Sequence, residues 1–438
     1  MMKKNLSFLI ALALSLTVNT AVFADAANSA VPSNTNVINT SSDNMTITLD
    51  DAINNLEKNN TELKLMNDKV NALYKQYDID HNMATSTDTS LLEANIQLFK
   101  SNLNNNIFRL QFDILQNKYL GAKLVQEVIP LSDELNIKKA KNDRDERLNV
   151  IKFDLQRQYM NVLNSREQID NINKTIANID EKIRQTEEKI KVGQAASNAL
   201  DSLNVQKTQL EAQKDDIQDS IEQSLLKIKQ YLNIGLGKTL NLTPVKKDFI
   251  VFDDKDILNK INDSVNKDYS LVLLNGKIDL LKRTEDIYSK YSHNYFSDTR
   301  NLAQQTGANY IASEANAKSQ LAGAQTDLIS AKAGLPQALL ANYYALKNKE
   351  GSVQTQILTE KTAQDTYDKL KKNFEVGMID KVTLDSAALE LDKQKNLTER
   401  AVNEYMVAQD EFNYMLQGHA SGYPNMSKQS MGTPGIGY

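Results

Sequence analysis

The chain has 438 residues, no cysteine, no tryptophan, 6% aromatic residues and a formal charge of −5. Without cysteine there is no disulfide, thiolate nucleophile, thiolate metal ligand or lipidated N-terminal cysteine. The mildly acidic balance carries no nucleic-acid footprint, and 15 Gly with 6 Pro is sparse for compact sheets and turns.

Lys3 and Lys4 precede an apolar run from Phe8 to Val18, and Val22-Phe23-Ala24 supplies a small-residue cleavage pattern. Residues 1–24 therefore read as a secretory signal cut after Ala24, which implies export. No later apolar run is long enough to cross a bilayer as a helix. Residues 25–45 are Ser/Asn/Thr-rich and aperiodic, a flexible leader.

A β-like Thr46-Ile47-Thr48 comes next, and Thr48 or Asp50 can cap the following helix. That helix carries a stripe at Ile53, Leu56, Leu63, Met66, Val70 and Leu73, broken by a polar hinge at Asn59-Asn60. Ile96, Phe99, Leu103, Ile107, Leu110 and Ile114 are spaced 3, 4, 4, 3 and 4 apart, a helical and not a strand period. Pro130 interrupts the pattern, and a long helix is predicted from about residue 133 to 192. Its seam is an isoleucine series at 169, 172, 176, 179, 183 and 190. Roughly 60 helical residues would span about 90 Å. After Gly193 a stripe from Leu200 to Leu232 returns the chain, with Gly235 and Gly237 as stop residues. Residues 241–252 read as a linker.

The pattern then begins again. LMNDKV (65–70) matches LLNGKI (273–278) at an offset of 208. Tyr159 lies 33 residues before Val192, and Tyr343 lies 33 before Val376. VGQAASNALDS (192–202) echoes VGMIDKVTLDS (376–386) at 184. Tyr231-Leu232 and Gly235 match Tyr414-Met415 and Gly418 at 183. Ordered anchors with one consistent indel of about 24 residues indicate duplication. The organisation is then a first repeat at 46–240, the linker at 241–252, a second repeat at 253–418 and a flexible tail at 419–438. The fold class is mainly α, with duplicated long antiparallel helical hairpins. A two-copy array leaves open ends, so closure by symmetric self-association is expected.

TLDDAINNLEKNNTELKL (48–65) resembles the opening helix of TolC-like outer-membrane efflux proteins. FEVGMIDKVTLDSAALELDKQKNLTERAVNEYMVAQDEFNYMLQG (374–418) resembles their second corner and return helix, and IKVGQAASNALDSLNVQKTQLEAQ (190–213) the matching part of the first half. The resemblance covers about residues 46–418 and implies a homotrimeric α-helical tunnel for passive export, fed by an inner-membrane pump and a periplasmic adaptor. It also implies a location in the cell envelope, with an outer-membrane barrel made of strand pairs in each repeat. Residues 83–130 and 293–325 occupy those places, yet neither has the alternation of a barrel strand. The strands are weakly written or lost, and loss is the favoured reading. The rival function is a structural or adaptor-like coiled-coil envelope protein that conducts nothing.

The candidate sites are few. Val192, Gly193, Val376 and Gly377 form the hairpin corners, where glycine supplies the positive φ a tight break needs. Simple chain reversal explains them as well as a tunnel entrance does. The family often carries acids six and nine residues after the glycine, and here those positions are Thr383 and Ser386. Asp380, Lys381 and Asp385, with Asp201 in the first repeat, could form an entrance ring, or simply solvate a corner. Tyr159 and Tyr343 suit packing or lining. His81, His293 and His419 are scattered, the last in the tail, so no enzyme, metal site or cofactor is expected.

Overall fold

The computed structural model describes residues 44–292 and 310–422. The signal, the leader up to residue 43, residues 293–309 of the second inserted segment and the tail from 423 lie outside the described residues. Strand β1 (Asn44–Ile47) leads into α1 (Leu49–Asn59) and α2 (Thr61–Ser86). The chain continues through α3 (Ser90–Lys100), α4 (Asn106–Glu127) and the 63-residue α5 (Ile129–Lys191). The return helix is α6 (Asp201–Leu232), followed by β2 (Thr239–Leu242). Then α7 (Ile257–Lys267), α8 (Tyr269–Ser292), the 66-residue α9 (Tyr310–Glu375) and α10 (Lys381–Tyr414) repeat the order. The fold is mainly α, and among the described residues no helix is long and apolar enough to cross a membrane.

The first inserted segment is helical. Its stripe is not one continuous helix: the polar run Ser101–Asn105 breaks it, and the Asn105 side chain accepts from the Ile107 amide at 2.8 Å to start α4. Ile107, placed in the predicted stripe, is therefore exposed, while Ile96 and Phe112 pack between α3 and α4. Pro130 sits in the first turn of α5, where its missing N–H costs nothing.

Three further expectations are corrected. The α6 helix ends at Asn233, which takes φ +52°, while neither Gly235 nor Gly237 has a positive φ. The Ile234 and Asn233 amides close the end on the Lys229 and Gln230 carbonyls at 2.8 and 3.3 Å. Part of the proposed linker is β2, which pairs in parallel with β1, Asn44 opposite Thr239 through Ile47 opposite Leu242. Asn60 is more than a polar hinge: it is buried, accepts from the Leu63 amide at 3.0 Å and donates to the Tyr231 carbonyl at 3.0 Å.

The described chain divides into two compact units. One comprises residues 66–143, 270–292 and 310–331, with a core at Phe112, Tyr119, Leu120, Leu280 and Ile287. The other comprises 44–65, 144–269 and 332–422. In it Leu56, Leu63, Ile151, Leu155 and Ile228 are wholly buried, each contributing about 1.5–3 kcal/mol relative to exposure. Of the isoleucine seam, Ile172 and Ile179 are buried, and 169, 176, 183 and 190 are half-buried.

Candidate functional site: the hairpin corners

Both long helices of the second unit end in the same way. At the first corner the Gly193 amide bonds the Ile190 carbonyl at 3.0 Å and the Gln194 amide the Lys189 carbonyl at 2.8 Å. At the second, Gly377 bonds Phe374 and Met378 bonds Asn373, each at 2.9 Å. This 6→1 and 5→2 pairing needs a left-handed residue at the first position past the helix. Gly193 (φ +76°) and Gly377 (φ +74°) provide it. Space around the glycines is open, so backbone conformation alone dictates their identity.

The corners leave apolar side chains in water. Val192 is 68% exposed, Val376 70% and Met378 76%. Three such side chains at two helix ends constitute a surface with unburied apolar area.

The proposed ring residues hold distinct positions. Asp380 caps α10, its carboxylate accepting from the Thr383 amide at 2.8 Å. That bond, with the positive charges of Lys189 and Lys182, holds its pKa below the ordinary carboxylate value. Lys381 opens α10 and is exposed, and its charge acts on Glu181 of α5. Asp385 is half-buried in the first turns of α10, and Asp201 is exposed at the start of α6. Asp380 and Lys381 thus share one electrostatic neighbourhood with the end of α5.

Residues that spacing did not single out join α5 to α10 behind the corners. The Lys174 ammonium lies 2.9 Å from Asp170 and 3.2 Å from Asp392. Lys182 donates to the Ser386 hydroxyl at 3.3 Å, and Ser386 donates to the Val382 carbonyl at 2.8 Å. Ser386 thus has a lysine facing it. The partners are more than 200 residues apart, so no local motif exposes them. The run Glu181 to Glu188 is in part a solvated face, with Arg184 pairing Glu181 and Glu188 at 2.6 Å each. Deeper in, Arg157 pairs with Glu411, which is 2% exposed.

The two matched tyrosines differ. Tyr159 is wholly buried, its hydroxyl 2.7 Å from the Thr243 carbonyl and 3.0 Å from that of Ile47, so it ties the β1–β2 pair to α5. Tyr343 is half-buried, its hydroxyl 3.2 Å from Asp254 and its ring against Phe252 and Phe412. The buried counterpart is Tyr405, whose hydroxyl accepts from the Phe252 amide at 2.8 Å and donates to Glu350 at 3.0 Å.

No protein-family model and no curated protein sequence matches the chain. Solved structures do. CusC, described as forming a transmembrane channel, superposes with a TM-score of 0.55 at 10% identity, covering 84% of this chain and 92% of that one. The CmeC outer membrane channel of Campylobacter jejuni gives 0.54 at 12% identity, covering 86% of each chain. The outer-membrane channel OprN gives 0.54 at 10% identity, covering 85% and 90%. The chain therefore has the fold of outer-membrane channel proteins, the fold that TolC-like proteins share.

Proposed function

We propose that the chain is a component of a TolC-like efflux or secretion conduit. Three copies would close their helices into a tunnel for passive passage of small molecules or proteins, without chemistry on the cargo. The observation that carries this reading is the fold shared with CusC and CmeC over 84% and 86% of the chain. The corners would form the entrance, where an adaptor linked to an inner-membrane pump docks on Val192, Val376 and Met378, all exposed. Asp380, Lys381, Asp385 and Asp201 would set its charge. The cell envelope is the place proposed for it, by likeness to the channels.

A second reading has its own observation. Helices α3 and α4 fill the first inserted segment, where a channel of this family would place strands. The chain would then be a structural or adaptor-like envelope protein that keeps the helical body without a pore. Purified mature protein added to dye-loaded liposomes separates the two. Dye release that depends on the protein supports the conduit, and a stable trimer without release supports the structural reading.

A further inference from the structure

Beyond α10 the chain makes a tight turn through Met415–His419 and Ala420–Gly422. It is not a free tail. Gly418 takes φ +101°, and a β-carbon there would stand 2.7 Å from the Lys267 carbonyl oxygen, so only glycine lets the turn press on the end of α7. Ser264 donates to the Met415 carbonyl at 2.8 Å, and Asp268, wholly buried, takes the Ser421 amide at 3.2 Å and its hydroxyl at 2.8 Å.

One arm of this closure can change charge. His419 Nδ1 lies 2.5 Å from Glu146 Oε1 of α5, and Tyr414 donates to the same oxygen at 3.5 Å. Glu146 Oε2 is buried with no hydrogen-bond partner. Burial raises the Glu146 pKa, the His419 contact opposes that, and Asp268 adds to the rise. The imidazole lies flat on the Tyr414 ring at 4.2 Å, a face that favours a cation. The titratable groups around it are Glu146 and Asp145 from α5, Asp268, Tyr269 and Lys267 from the α7–α8 joint, and Tyr414 from α10. Carboxylates dominate the charged members of that set, surroundings in which a charged imidazole serves as countercharge to a buried acid.

We propose that residues 415–421 are a proton-controlled clasp: protonated His419 closes the turn on Glu146, and loss of that proton loosens it. Histidine is the side chain whose charge ordinarily changes between about pH 5 and 8. Once neutral, it leaves the Glu146 carboxylate buried beside Asp268 with only neutral partners, the imidazole and Tyr414. The flanking helices keep their own backbone bonds, so the turn opens locally while they stay folded. The clasp stands whether or not the chain conducts.

The test is hydrogen exchange of the full mature chain, read on peptides covering 413–422 and corrected for intrinsic rates, at about pH 6 and about pH 8. Protection is expected to be about tenfold greater at the lower pH, the difference between a charge-assisted and a neutral hydrogen bond. In His419→Gln and Glu146→Gln, which keep polar side chains of similar size, the ratio should collapse below about twofold. Equal wild-type protection at the two pH values overturns the clasp, and so does a pH dependence that persists in His419→Gln. Should either variant fail to fold, the wild-type ratio alone decides.

Discussion

Replacing Tyr159 by Phe removes one oxygen and leaves the packing intact, so its cost isolates the hydroxyl. That oxygen lies against the Ile47 and Thr243 carbonyls; Tyr159 has no exposure, and Thr243 is half-buried. Ile47 keeps another partner, the Thr243 amide at 3.1 Å, so the change strands chiefly the Thr243 carbonyl. Losing a hydrogen bond costs about 1 kcal/mol, and stranding an acceptor at a half-buried position adds the low end of about 1–3 kcal/mol, which together set an expected loss of about 2 kcal/mol. Tyr343→Phe is the control, because it occupies the matching place in the second repeat. Its hydroxyl is half-exposed on Asp254, which also pairs with Lys347 at 3.3 Å, so the expected loss is below about 0.5 kcal/mol. Urea unfolding followed by helical circular dichroism, at one protein concentration, measures both. Losses equal within about 0.5 kcal/mol would refute the claim that Tyr159 anchors the β1–β2 pair.

Ala at Gly193 or Gly377 meets no steric obstacle but must hold a positive φ, so each substitution should cost about 1–2 kcal/mol in thermal unfolding. Neutral behaviour at both would mean that the left-handed turn is not kept in solution. Arg157→Met strands the Glu411 carboxylate, 2% exposed, and should cost about 3–5 kcal/mol in urea, with much of it recovered by adding Glu411→Gln. In the other unit, burial, the like charge of Asp80 and a hydrogen bond to Asp80 push the Asp133 pKa from 3.8 up to about 7. A carboxyl raised in the native state binds a proton that the unfolded chain has released, so stability should fall as pH rises between those two values. Urea midpoints taken across that range should slope downward for wild type and lie flat for Asp133→Asn. A slope unchanged in the variant would place the titrating group elsewhere.

Much of the helical body was legible because its signals are local. The isoleucine series sets the face of α5, and valine-glycine at 192–193 and 376–377 carries the backbone chemistry of a helix stop. What remained hidden depends on partners far away in sequence. Thr239–Leu242 lacks a strand signal strong enough to stand out and becomes β2 only by pairing with residues 44–47. Glycines, the commonest left-handed residues, mark an end for α6 at 235 and 237, yet Asn233, tolerant of the same conformation, comes first. Periodicity carried the α3 stripe across Ser101–Asn105, where asparagine capping overrides it. At the corners, the glycines could be read from sequence, whereas the pairing of Lys174 with Asp392 and Lys182 with Ser386 required the packing of two helices. His419 looked like part of a tail because its carboxylate lies 273 residues upstream. Tyr159 and Tyr343 looked equivalent because spacing records position in a repeat, and burial does not follow from it.

On the proposed function, these helices close into a conduit only by self-association. Multi-angle light scattering of residues 25–438, the chain left by the proposed cleavage after Ala24, at micromolar concentration tests it most directly. The mass expected is three times that of the single chain, unchanged on modest dilution. A monomer at that concentration would contradict the conduit.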